Sequence, residues 1–93
     1  MSIRSFRDAE TEALFQTGRS KRWANIARVA ARKLDMLDAA VTLQDLRSPP
    51  GNQLEALSGD RGGQHSIRVN DRWRVCFRWT DAGPEDVEIT DYH

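Results

Sequence analysis

The chain has 93 residues, 39% hydrophobic and 30% charged, enough for one small core that buries about 60–70% of the unfolded surface but too few for separate cofactor and substrate domains. Fourteen Lys+Arg balance fourteen Asp+Glu, and a net charge of zero argues at face value against a nucleic-acid binder. One cysteine and two histidines exclude an internal disulfide framework and a structural zinc site.

In chain order, Ile3–Phe6 reads as a short extended stretch. Asp8 is placed to cap a helix, with Glu10 and Glu12 favourable in its first turn. That helix is expected to run to about Gln16 and stop at Gly18. Ser20 is expected to cap a second, longer helix. Its Trp23, Ile26, Ala27, Ala30, Leu34 and Leu37 recur at i, i+3/i+4 spacing and form one apolar stripe, with Lys21, Arg28 and Arg32 opposite. Ser48-Pro49-Pro50-Gly51-Asn52 is a turn-rich loop. Four strands follow: Gln53 to Leu57, Gln64 to Val69, Trp73 to Trp79 and Asp86 to Tyr92. The turns between them are Gly59–Gly63, a tight Asn70-Asp71 hairpin and Asp81–Pro84. The order β-α-α-β-β-β-β predicts an α+β domain spanning 1–93, with two N-terminal helices packed on one face of a mainly antiparallel sheet.

The zero net charge conceals an arrangement. Residues 1–34 hold eight basic and three acidic residues, 35–60 one and five, 61–78 five and one, and 79–93 none and five. The 61–78 block is the central hairpin. There Trp73, Val75, Phe77 and Trp79 alternate with Arg72, Arg74, Cys76 and Arg78. Helices on the apolar side leave the other side open to solvent, lined by arginines with Arg68 added from the neighbouring strand. Like charges this close are costly unless something anionic answers them. Either the acidic 79–93 block does so, through Glu88 or Asp91, or the face binds phosphate, with Arg61 reaching in from the glycine-rich turn.

Other groups read more plainly. His65 alternates in phase with Ile67 and Val69, so it is expected in the core and hydrogen-bonded. Cys76 has no neighbouring base and packs as a small hydrophobe. The glycines match no dinucleotide or phosphate loop, and no cofactor or metal is expected. The chain ends Asp91-Tyr92-His93, a proton-shuttling side chain directly after a strand. Asp91 and Tyr92 point to opposite faces of a regular strand, so either the strand ends near Thr90 or a bulge re-aims the last residues. No apolar run is long enough to span a membrane, and Met1-Ser2-Ile3-Arg4 lacks the core of a signal peptide. A cytoplasmic protein is expected.

Taken in order, Ile3-Arg4-Ser5-Phe6, Leu14–Gly18, Ala31–Ala40, Asp45–Asn52, Leu57–Arg61, Gly62–Ile67, Trp73–Phe77 and the terminal Asp91-Tyr92-His93 resemble the HigB-type toxins of bacterial toxin–antitoxin systems, in the RelE superfamily. The resemblance covers essentially the whole chain. It implies a RelE-like fold and a toxin that enters the ribosomal A site and cuts mRNA. It also implies neutralisation by a HigA-type helix-turn-helix antitoxin, and operator DNA bound only through that complex. The arginine of the family's Trp-Arg motif maps to Arg74, and its terminal acid, tyrosine and histidine map to Asp91, Tyr92 and His93. A histidine and a lysine that some members carry before Gly-Asp-Arg fall here on Glu55 and Ser58. The resemblance therefore implies catalysis by His93, Tyr92, Arg74 and Asp91; Glu55 is a secondary base candidate, and the arginine face adds Arg61, Arg68, Arg72 and Arg78 to hold RNA phosphates. Two other readings stay open: a ParE-like binder that inhibits DNA gyrase, and a degenerate toxin acting as operon co-repressor.

Overall fold

The computed structural model describes residues 1–91. Two helices, α1 (Ala9–Thr17) and α2 (Ala27–Ala39), precede four strands, β1 (Glu55–Ala56), β2 (His65–Arg68), β3 (Arg74–Thr80) and β4 (Gly83–Thr90). The strands form one antiparallel sheet in the order β1-β2-β3-β4, a run of consecutive hairpins that fits the α+β reading. The Ile3–Phe6 stretch is extended as expected but makes only a bridge. It runs parallel to β4 through Arg4 N–H to the Pro84 carbonyl at 2.7 Å, Val87 N–H to Ser5 at 3.1 Å and Arg7 N–H to Val87 at 2.9 Å.

Helix α1 starts and stops where its sequence dictates. The Asp8 carboxylate accepts the Thr11 N–H at 2.6 Å. Gly18 closes the helix in the left-handed region, φ 73°, donating to Leu14, a conformation glycine adopts without Cβ strain. Thr11 is fully buried and ties the helix to the sheet. Its hydroxyl donates to Asp8 at 3.0 Å and accepts the Ile89 N–H at 3.2 Å. Thr11→Val is isosteric but strands that buried N–H, so urea unfolding is expected to show a loss of about 1–3 kcal/mol. An unchanged midpoint would mean that another group takes over the bond.

Helix α2 begins later than its apolar stripe suggests. Ser20 does cap, accepting the Trp23 N–H at 3.0 Å, but it caps a turn. The helix starts only at Ala27, because Ile26 sits at φ −121°, ψ 1°, outside helical geometry. The turn still buries Trp23 and Ile26, and Trp23 meets Trp73 edge-to-face at 6.1 Å. From α2, Ala30, Leu34 and Leu37 pack on Ile67, Val75, Phe77, Val87 and Ile89 of the sheet, with Leu14 of α1 in the same cluster. Each fully buried Leu, Ile, Val or Phe side chain among them is worth about 1.5–3 kcal/mol. Among the described residues no helix is long and apolar enough to cross a membrane.

Lys33 is buried as well, and among the described residues no carboxylate pairs with it. Its Nζ donates to Asn52 Oδ1 at 2.5 Å, while the Asn52 amide donates to the Leu46 and Ser48 carbonyls. Burial first, then the charges of Arg32 and Arg68, hold the Lys33 ammonium below its usual range. This anchor shortens the first predicted strand. Pro50–Asn52 forms a 3₁₀ turn, Gln53 takes φ 46°, and of the expected Gln53–Leu57 the strand keeps Glu55–Ala56, with Leu57 N–H still bonded to the Gln64 carbonyl at 2.9 Å.

The hairpins also differ in detail. Asn70-Asp71 is not a two-residue turn. The β2–β3 ladder closes at Arg68 opposite Arg74, and Asn70 folds back to accept the N–H groups of Arg72 and Trp73 at 2.9 and 2.8 Å. An asparagine side chain thus does the work of a longer turn. Strand β4 starts at Gly83 rather than Asp86. It carries a bulge, since Cys76 opposes Glu88 but Arg78 opposes Glu85, and Asp86 takes up the extra residue at φ 52°. The bulge keeps Val87 and Ile89 in the core while Glu88 faces away from it.

Candidate active site

Directly opposed residues on antiparallel strands share a face, so the register defines the site. One row crosses all four strands away from the helices: Glu55, Ser66, Cys76 and Glu88. The next row is Arg68, Arg74 and Thr90, and Arg78 lies on the same face opposite Glu85. The expected open arginine face is thus present, with one correction. Its centre is not exposed, since Ser66 and Cys76 are buried. The rim side chains account for this. Arg61, from the loop between β1 and β2, donates through Nη1 to Gln64 Oε1 at 3.1 Å and Glu88 Oε1 at 2.8 Å.

The acidic strand answers much of the positive charge. Arg7 Nε stands 3.7 Å from the other Glu88 oxygen, a contact the sequence reading missed although Arg7 directly follows the extended N-terminal stretch. Arg78 lies 4.0 Å from Asp86. Arg68 pairs with Asp71 at the loop tip. Arg74 differs: its Nη1 donates to the carbonyls of Asn70 and Trp73, and among the described residues no ion pair is formed at it. Carbonyl dipoles orient a guanidinium without cancelling its charge.

Glycine placement shapes one edge of the site. Gly63 sits at φ +86°, and a Cβ there would come within 2.7 Å of Arg78 Nη1. That guanidinium is the far end of a flexible side chain and can shift, so it is the positive φ that favours glycine here.

The remaining site residues stand as follows. Arg72 lies in the loop before β3, not on the strand face. It stacks over Trp73 at 4.8 Å and bonds Asp91 Oδ2 at 2.7 Å. The strand ends at Thr90, which frees Asp91 from strand alternation and lets it reach that arginine. Tyr92 and His93 lie outside the described residues. Glu55 sits at the far end of the row from Glu88. His65 turns toward the core as expected, stacked on Phe77 at 6.3 Å, but among the described residues its buried Nδ1 lacks the expected hydrogen bond, its strand neighbours there being Ala56 and Phe77. Cys76 is no nucleophile. Burial pushes its thiol up to about 11, opposed by the charges of Arg61 and Arg74, so it stays protonated at neutral pH.

Such a face can bind and neutralise a phosphate, and carboxylates at both ends of the row can accept protons. Two helices behind a sheet of consecutive hairpins, with arginines on the uncovered side, define a RelE-like protein. Residues 4–93 match the family described as the RelE-like toxin of type II toxin-antitoxin system HigB. The chain belongs to that family, and membership implies an antitoxin partner. It is 41% identical over 79 residues to toxin HigB-1 of Vibrio cholerae serotype O1, covering 83% of each chain. It is 42% identical over 76 residues to an uncharacterized protein of Haemophilus influenzae, covering 80% of this chain and 75% of that one. It is 27% identical over 97 residues to endoribonuclease HigB of Proteus vulgaris, covering 98% and 99% of the two chains.

Proposed function

We propose that the chain, as one toxin domain over 1–93, is a cytoplasmic, ribosome-dependent mRNA endoribonuclease that inhibits translation and is neutralised by a HigA-type helix-turn-helix antitoxin. The observation that supports this best is Arg74, a guanidinium held by two carbonyls beside a buried polar floor. A relative spanning almost the whole chain is named an endoribonuclease.

Cleavage by 2′-OH attack forms a bond from the 2′ oxygen to phosphorus and breaks the bond to the 5′ oxygen. The 2′ proton goes to a base, and an acid protonates the leaving oxygen. Arg74, with Arg61 or Arg78, neutralises the phosphorane, the usual largest contribution. His93 serves as general acid or base, with Glu55 as a second base. Tyr92 stacks a nucleobase or polarises the attacking hydroxyl. Asp91 orients His93 or holds Arg72. Arg68 and Arg72 contact flanking phosphates. Much of the arginine charge is already paired, so affinity for free RNA is weak and the ribosome supplies the positioning.

The test is to map mRNA ends in a translation extract given the purified protein. New ends inside codons, lost when translation initiation is blocked, are expected. DNA gyrase inhibition without such ends would replace this reading with a ParE-like one. Operator binding with the antitoxin, and neither other effect, would leave a co-repressor.

A further inference from the structure

Arg61 closes a short turn at the rim of the site. The Gly59–Arg61 turn contains no buried residue. It lies between Gly59 and Gly63, both at positive φ. Its backbone bonds are local: Arg61 N–H to Ser58, Gly62 N–H to Gly59 and Gln64 N–H to Arg61. One bond from the Arg61 side chain reaches far along the chain, the 2.8 Å bond to Glu88, a residue 27 positions away.

Glu88 is placed oppositely. It lies within β4, opposite the fully buried Cys76, and its side chain is only 13% exposed. A charge-assisted bond at such a site is stronger and less screened than one at the surface. Arg7 flanks the second carboxylate oxygen, and the Gln64 amide oxygen shares Arg61 Nη1. Glu88 stands opposite Cys76, Arg74 lies two residues from Cys76 on the same face, and Arg61 is bonded to Glu88, so the three groups gather round one spot on the sheet.

We propose that Glu88 is a positioning residue: it holds the Arg61 guanidinium over the Ser66–Cys76 floor, beside Arg74, where the scissile phosphate is received. The proposal rests on the endoribonuclease reading. It assigns Glu88 a part in RNA cleavage although a carboxylate on an anion-binding face would by itself repel the substrate.

The experiment is a mutant cycle in single-turnover cleavage of a defined mRNA on programmed ribosomes. Arg61→Ala is expected to slow cleavage by about 10²-fold, as loss of one preorganised donor does. Glu88→Gln should slow it about tenfold, the loss of one charge-assisted bond. The double variant should be no slower than Arg61→Ala, because Glu88 acts through Arg61. Glu88→Asp, which keeps the charge, should recover most of the rate. Circular dichroism and urea midpoints confirm that each variant is folded, and Glu88→Asp keeps the test open if Glu88→Gln is not. Wild-type or faster cleavage by folded Glu88→Gln, or effects that multiply in the double variant, overturns the proposal. Fast cleavage by Arg61→Ala overturns it together with the Arg61 assignment. No cut by the wild type overturns the endoribonuclease reading itself.

Discussion

Removal of Tyr92 and His93 is expected to abolish growth arrest while leaving a folded protein that the antitoxin still captures. The chain has two histidines. His65 is accounted for on the core side, stacked on Phe77. His93 is therefore the one imidazole left to move a proton near neutral pH. A positioned general acid or base contributes about 10²–10⁴-fold, so His93→Gln alone should lower single-turnover cleavage by that factor. Among the described residues the last of the sheet in the apolar core is Ile89, and circular dichroism of the truncated protein checks that it folds. Full toxicity of the truncated protein would show that proton transfer lies elsewhere, with Glu55 next in line.

Arg74→Ala carries the second large effect, a loss of about 10²–10³-fold in cleavage, the range for deleting one preorganised charge-stabilising group. Arg74→Lys should recover little. Arg74 already spends Nη1 on two backbone carbonyls, and a guanidinium can do this while offering other N–H groups to phosphate. A lysine ammonium has three donors on one atom and cannot serve both sides in the same geometry. Val75 and Phe77 on the opposite face stay in the core, so Arg74→Ala should stay folded, with stability lowered by about 1–3 kcal/mol for the lost carbonyl bonds. Equal rates for Arg74→Lys and wild type would reduce Arg74 to a diffuse positive charge.

The sequence was most legible where local and global preferences agree. Asp8 and Gly18 bound α1 because a carboxylate cap and a left-handed glycine need no tertiary help. Val75 and Phe77 reveal the core side of β3 because a two-residue period survives packing. Ser20 misled because the Trp23–Ile26 turn buries the same residues at the same i, i+3 spacing as a helix would. Asn52 and Asn70 misled for a shared reason: each spends its side chain on backbone groups, reshaping a loop in a way no hydrophobic pattern records. In the site, Arg74, Arg61 and Arg78 were readable from alternation and turn position. The Arg7–Glu88 contact was not, because it depends on the N-terminal stretch running beside β4. Nor was the bulge at Asp86, since an acidic residue at positive φ gives no sign in composition.

The row Glu55–Ser66–Cys76–Glu88 takes one residue from each strand, at positions far apart in the chain. It exists only while every strand keeps its odd–even parity, because a slip of one residue sends a side chain through the sheet to the other face. Rim side chains can be exchanged one at a time, but a single insertion or deletion within β2, β3 or β4 exchanges core and site together. Changes in chain length should therefore be tolerated best in the loops outside the strands, such as the turn at Asp81–Ala82, where parity does not propagate. In this domain the spacing of residues is more constrained than their identity.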